Sequence, residues 1–417
     1  MSEWKTYRIN EVADVIMGQS PSSASYNEAG VGYPFLQGCA DFDKRTPVVR
    51  YYCTDPKKRV PNNSILISVR APVGTTNRAD AEYCIGRGLA GIVGRNINQD
   101  LLHFKIIHHI PDLERVSQGS TFLAINTNDL NNLLINIPTS LAEQRKIALI
   151  LSTVDAVIEK SEAAIAKYKV IKAGMMHDLF TRGINRATGR LRLSQKEAPW
   201  LYKETELGWV PKEWEVISWK DACENVFVGI ATSTTKYFTD VGVPLIRNQN
   251  ILENKIDIRD LLHITQDFAQ TNHNKAIKAG DILSIRTGYP GQSAVALSTH
   301  NGFQSFTTLI SRPKSDKDTK YLCYLLNSQI GKRQIANLQG GGAQQNLNVG
   351  WLVRLKVLIP NITEQNNIAS QLDAIESQID KEAQVLEKNI SLKQALMSDL
   401  LKGKVRVQYD EEIAEAV

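Results

Sequence analysis

A chain of 417 residues is more than one ordinary core organises, so the sequence predicts two domains with connecting elements. With 42% hydrophobic and 22% charged residues it is excluded from the disordered class, and no apolar run approaches the ~18 residues that span a bilayer, which points to a cytoplasmic protein without a membrane partner. Five scattered cysteines that never form CxxC indicate neither a disulfide framework nor a zinc site, and a net charge of +5 predicts weak nucleic-acid binding by the chain alone.

Residues 1–138 are predicted as the first globular domain, built from short Ile/Val-rich strands broken by Gly and Pro turns. GRGLAG (86–91) matches the glycine spacing of a dinucleotide fingerprint. The residues that follow, IVGRNINQD, lack helical periodicity, so a strand turn or DNA-facing loop is expected instead. HFKIIHH (103–109) reads as a strand-like run, with His103, His108 and His109 as surface histidines.

Pro138 closes the strand-like LLINIP, and Ser140-Leu-Ala-Glu143 then has the pattern of a capping box opening a long helix over 139–182. The helix is expected to end on a left-handed cap at Gly183. Its seam alternates steps of four and three: Ile147, Leu151, Val154, Ile158, Ser161, Ile165, Tyr168, Lys172, Met175, Leu179. A connector at 183–203 follows. Within RGINRATGRLRLSQK (182–196) it carries a basic run suited either to phosphate contact or to plain exposure.

Residues 204–358 form the second predicted globular domain, a fainter copy of the first. Gly18, Tyr26, Gly32 and Pro34 match Gly229, Tyr237, Gly242 and Pro244, while SILISVRAPVG and DILSIRTGYPG align Arg70 with Arg286. The domain's end repeats too, with Gly119, Asn126, Leu130 and Leu133 meeting Gly341, Asn348, Leu352 and Leu355.

A second long helix, 359–403, repeats the first at an offset of 221, with 12 identities over the 38 positions of Glu143–Phe180 against Glu364–Leu401. Asn361-Ile-Thr-Glu364 repeats the capping box and Gly403 the terminator. Its seam is Ile368, Leu372, Ile375, Ile379, Glu382, Leu386, Asn389, Lys393, Leu396, Leu400. An acidic tail, 404–417, has no assigned role. The pattern predicts an α+β protein: two tandem β-rich α/β domains separated by two long helices in an antiparallel coiled coil, with a pseudo-two-fold internal repeat. A helix of about 40 residues spans about 60 Å, or roughly 17 base pairs of duplex.

ETELGWVPKEWEV (204–216), LAEQRKIALIL with its repeat ITEQNNIASQL, GRGLAGI and QGGGAQQNLN (339–348) resemble the specificity subunit of type I restriction-modification systems over essentially the whole chain. The resemblance implies a non-catalytic adaptor. Each domain would read half of a bipartite double-stranded DNA target, and the helices would set the spacer and dock two methyltransferase subunits. Motor-nuclease subunits would join for cleavage. It also implies that this chain binds no cofactor: S-adenosylmethionine belongs to the methyltransferase, and ATP with Mg2+ to the motor-nuclease.

Arg, Lys, Asn and Gln beside turns are the natural readers of base edges, because they make paired hydrogen bonds to guanine or adenine. The candidates are Gln19, Ser20, Ser22, Tyr26, Gln37, Arg70 and Arg87 in the first domain, and Thr235, Lys236, Tyr237, Arg247, Asn248, Gln249 and Arg286 in the second. Tyr26 and Tyr237 fit a structural role equally well. The alternatives are a coiled-coil scaffold whose ends bind proteins, and an enzyme built on GRGLAG.

Overall fold

The computed structural model describes residues 3–118, 124–338 and 346–408. Gly119, Gly341, residues 339–345 of the QGGGAQQNLN motif and residues 409–417 of the tail lie outside the described residues. The chain divides into two compact units, Met1–Ala163 with Ala383–Val417, and Ala164–Glu382. The division passes through both long helices, Leu141–Thr181 and Ile362–Leu401.

In the first unit an antiparallel sheet runs Ala13–Met17, Leu89–Gly94, Ile65–Ser68, Thr76–Arg78. The unbroken apolar run of Ile65–Ser68 is explained by its two faces. Ile65 and Ile67 feed one core with Ala90 and Ile92, while Leu66 feeds a second core with Leu36, Val60 and Ile85. The second unit repeats this in the sheet Cys223–Val228, Leu309–Pro313, Ile282–Ser284, Ser293–Val295. There Ile282 and Leu309 face one core, and Leu283 and Ile310 the other. Each unit adds a second sheet containing one parallel pair: Phe35 and Leu36 beside Cys84 and Ile85, or Leu245 and Ile246 beside Gln304 and Ser305.

The expected strand at HFKIIHH is instead the helix Gln99–His108. Asn98 caps it, its side chain accepting the Leu101 N–H at 2.9 Å, and Leu101, Leu102, Phe104 and Ile106 are all buried. A helix buried over so broad a face loses the 3.6-residue alternation that would identify it. The histidines are not simple surface residues either. All three are half-buried, His103 bonding Thr76 at 3.1 Å and His109 meeting Asp112 at 2.8 Å.

Burial, reinforced by the charges of Arg78 and Lys393, lowers the His103 pKa to about 4 from its ordinary 6.5. The unfolded chain therefore binds a proton that the folded chain refuses between these values. Stability contributed by neutral His103 is complete above about pH 6.5 and is lost as the pH falls towards 4, up to about 3 kcal/mol. Urea midpoints across pH 4–7 should show this loss, and His103→Gln should flatten it; an unchanged slope in that variant would contradict the assignment.

The repeated letters Glu-Gln at each helix start acquire distinct roles. Ser140 and Asn361 do cap the helices, accepting the backbone N–H of Glu143 at 3.4 Å and of Glu364 at 3.1 Å. The glutamates do not complete capping boxes as expected. In the first unit the buried Glu143 accepts two bonds from Arg406, at 2.9 and 3.0 Å, and one from the Trp4 indole at 3.3 Å. In the second, Glu364 accepts from Arg192, from the Ile184 N–H at 2.8 Å and from the Trp214 indole at 3.3 Å. Burial alone would lower the Arg192 pKa, but its hydrogen bonds and charge pairing with Glu364 and Glu213 outweigh this and raise it. A charge-assisted, geometrically matched pair out-competes a neutral cap N–H for the carboxylate.

The glutamines are equally repeated. Gln144 donates to the Pro138 carbonyl at 2.8 Å and accepts the Asn98 N–H at 2.8 Å; Gln365 donates to Pro360 at 2.8 Å and accepts the Asp318 N–H at 2.9 Å. Each ties the long helix to the strand before it and to the cap of a shorter helix, Gln99–His108 or Thr319–Asn327. Both helices end as expected on glycines of positive φ, 63° at Gly183 and 69° at Gly403.

None of the twenty seam positions is exposed. Ile147, Leu151, Leu179, Ile368, Leu372 and Leu400 are buried, and Val154, Ile158, Ile165, Ile375, Ile379 and Leu386 half-buried. Within each unit the helices run antiparallel and are registered by polar seam residues. Lys393 pairs with Asp155 at 2.6 Å in the first unit, and Lys172 with Glu376 at 2.5 Å in the second. These acids are themselves 221 positions apart, so the repeat duplicates the ion pair and not merely the apolar stripe.

Candidate DNA-reading edges

In the first unit the ends of four strands meet at one edge. The Gly18 N–H donates to Leu89 O and the Gln19 N–H to Ile85 O, at 2.9 and 3.0 Å. Gly86 donates to Leu36 O at 2.8 Å, and Val69 to Gly88 O at 2.9 Å. The expected readers Gln19, Ser20, Gln37, Arg70 and Arg87 are thereby brought together, all exposed. Glycines 86 and 88 serve this crossing. A Cβ at Gly88 would lie 2.7 Å from the Gln37 carbonyl, and the turn leads into the strand Leu89–Gly94, not into a helix. Ser22 is spent as the cap of a short turn, its hydroxyl accepting the Ala24 N–H at 3.4 Å. Tyr26 is half-buried, with ring centroids 5.2 Å from Phe35 and 6.2 Å from Tyr51, which is packing rather than presentation.

The second unit builds the corresponding edge. Gly229 donates to Thr308 O at 3.0 Å, Ile230 to Ser305 O at 2.7 Å, and Phe306 to Ile246 O at 2.8 Å. Arg247, Asn248, Gln249 and Arg286 lie along it, but tied back. Arg247 and Gln249 both bond Asp260, at 3.2 Å each, Asn248 donates to Thr287 at 3.3 Å, and Arg286 donates to Leu347 O at 3.4 Å. Tyr237 stacks on Phe268 with centroids 3.7 Å apart, and Lys236 rides over that ring at 4.9 Å, beside exposed Thr235. Sequence reasoning passed over Tyr289, which is 75% exposed at the tip of the GYPG turn beside Arg286, and Thr307, held at a φ of 54° where Arg87 sits in the other unit. The exposure of a tyrosine next to Gly and Pro was the available signal.

Each unit is also fastened to a long helix by loop cations. Arg45 pairs with Glu159, and Lys44 with Glu162 at 2.7 Å; Lys255 pairs with Asp380 at 3.2 Å. Glu159 and Asp380 are again 221 positions apart. Arg192 of the basic connector is buried against Glu364, so it is withdrawn from the run offered for phosphate contact.

The chain thus holds two tandem units of one fold, each with a polar loop edge and each ion-paired to an equivalent turn of a long helix. The chain belongs to the type I restriction-modification DNA specificity family, whose description matches residues 1–167 and 211–389. It is a specificity subunit of a type I restriction-modification system. Over 429 residues, 97% of this chain and 94% of the relative, it is 24% identical to the MjaVIII specificity subunit of Methanocaldococcus jannaschii. It is 41% identical over 171 residues, 40% of each chain, to a protein of the same organism named for the MjaX specificity subunit. The crystal structure of the S subunit from M. genitalium superposes with a TM-score of 0.62 at 14% identity, covering 96% of each chain, which shows the shared fold.

Proposed function

We propose that the chain is a non-catalytic adaptor in which each unit reads one half of a bipartite double-stranded DNA site. The long helices set the spacer and dock two methyltransferase subunits, with motor-nuclease subunits joining for cleavage in the cytoplasm. The observation that carries this is the duplication of contacts, not of letters alone. Seam ion pair, helix-start carboxylate, glutamine tie and loop-to-helix ion pair all recur, while the loop residues at the two edges differ. Equivalent helix faces suit two copies of one partner, and unlike edges suit two unlike sequences. S-adenosylmethionine chemistry then resides in the methyltransferase, and ATP with Mg2+ in the motor-nuclease.

Arg286→Ala, expressed with the methyltransferase, should relax or abolish recognition of one half-site only. The readout is the methylated motif across a genome. Equal loss of both half-sites from this one substitution would count against modular reading.

A further inference from the structure

We propose that Arg70 and Arg87 are guanine readers, so that the half-site served by the first unit contains guanine. The inference rests on the bipartite-recognition reading above and adds the base class. Both guanidinium groups are exposed and have no hydrogen bond or ion pair among the described residues. In the same unit Arg45, Arg59, Arg78 and Arg95 each close an ion pair. Their backbones are held in place. The Arg87 N–H donates to Ser20 at 3.3 Å, Arg70 bridges to Ala124, and the Val69–Gly88 bond of 2.9 Å sets the two arginines side by side.

A planar fork of donors on a fixed base matches the two acceptors that guanine alone presents along one edge, N7 and O6. The second unit lacks this arrangement. Thr307 replaces Arg87, and Arg247 and Arg286 are tied to Asp260 and Leu347. Free arginines therefore characterise the first edge, and amides with the Tyr289 phenol the second.

The test is single-molecule methylation mapping with the full chain and its methyltransferase, comparing wild type with Arg70→Ala, Arg87→Ala and Arg87→Gln. The expected result is a guanine-containing half-site in which each alanine variant admits other bases at one guanine position. Sites carrying those bases should rise at least about tenfold in methylation, with the other half-site and spacer unchanged. Arg87→Gln should move that position towards adenine, which glutamine pairs with through its amide. A motif that keeps every base while methylation falls uniformly would mark these arginines as phosphate contacts and overturn the proposal, as would a half-site without guanine. If no bipartite motif depends on the chain at all, the recognition reading itself fails, a result distinct from either of these.

Discussion

Glu364→Ala is expected to destabilise the second unit by about 3–5 kcal/mol, because it strands a buried cation. Arg192 is 6% exposed and Glu364 1%, and the same carboxylate also satisfies the Ile184 N–H and the Trp214 indole. Glu143→Ala in the first unit should cost less, since its partner Arg406 is 28% exposed and water replaces part of what is lost. Urea unfolding of the full chain followed by tryptophan fluorescence resolves the two. A change at Glu364 below about 1 kcal/mol would show that the pair does not hold the helix start.

Deleting one heptad from each long helix, residues 164–170 and 385–391, is expected to shorten the spacer without altering either half-site. The deletions keep the Lys393–Asp155 and Lys172–Glu376 pairs and remove equal lengths between them, so the seam can close in register. Seven residues are about 10 Å of helix, or about three base pairs. A folded, active variant with the original spacer would mean that the helices are not the ruler.

The long helices were legible because a seam is a local signal, repeating every three or four residues and twice in one chain. The roles of Glu143 and Glu364 were not. A capping box is the local partner such a glutamate offers, whereas Arg406 and Arg192 lie 263 and 172 positions away in sequence. Trp4 and Trp214, which complete these sites, stand in the matching stretches EWKTY and EWEVI, yet nothing local marks them as partners of a carboxylate. The Gln99–His108 helix was misread because burial on a broad face erases its periodicity.

At the candidate edges the strand ends bring five of the seven first-unit candidates together. Residue type could not separate free Arg87 from Arg247. That distinction depends on Asp260, thirteen positions further on and adjacent only after folding. Tyr26 and Tyr237 recur at matching positions, and each packs against an aromatic neighbour.

Single-molecule methylation sequencing of the source strain, with and without this gene, tests the central claim most directly. Bipartite recognition predicts that deletion removes one split methylated motif, two defined half-sites around a fixed spacer, and that restoring the gene restores it. An unchanged methylome in a strain that still expresses the intact methyltransferase would contradict it.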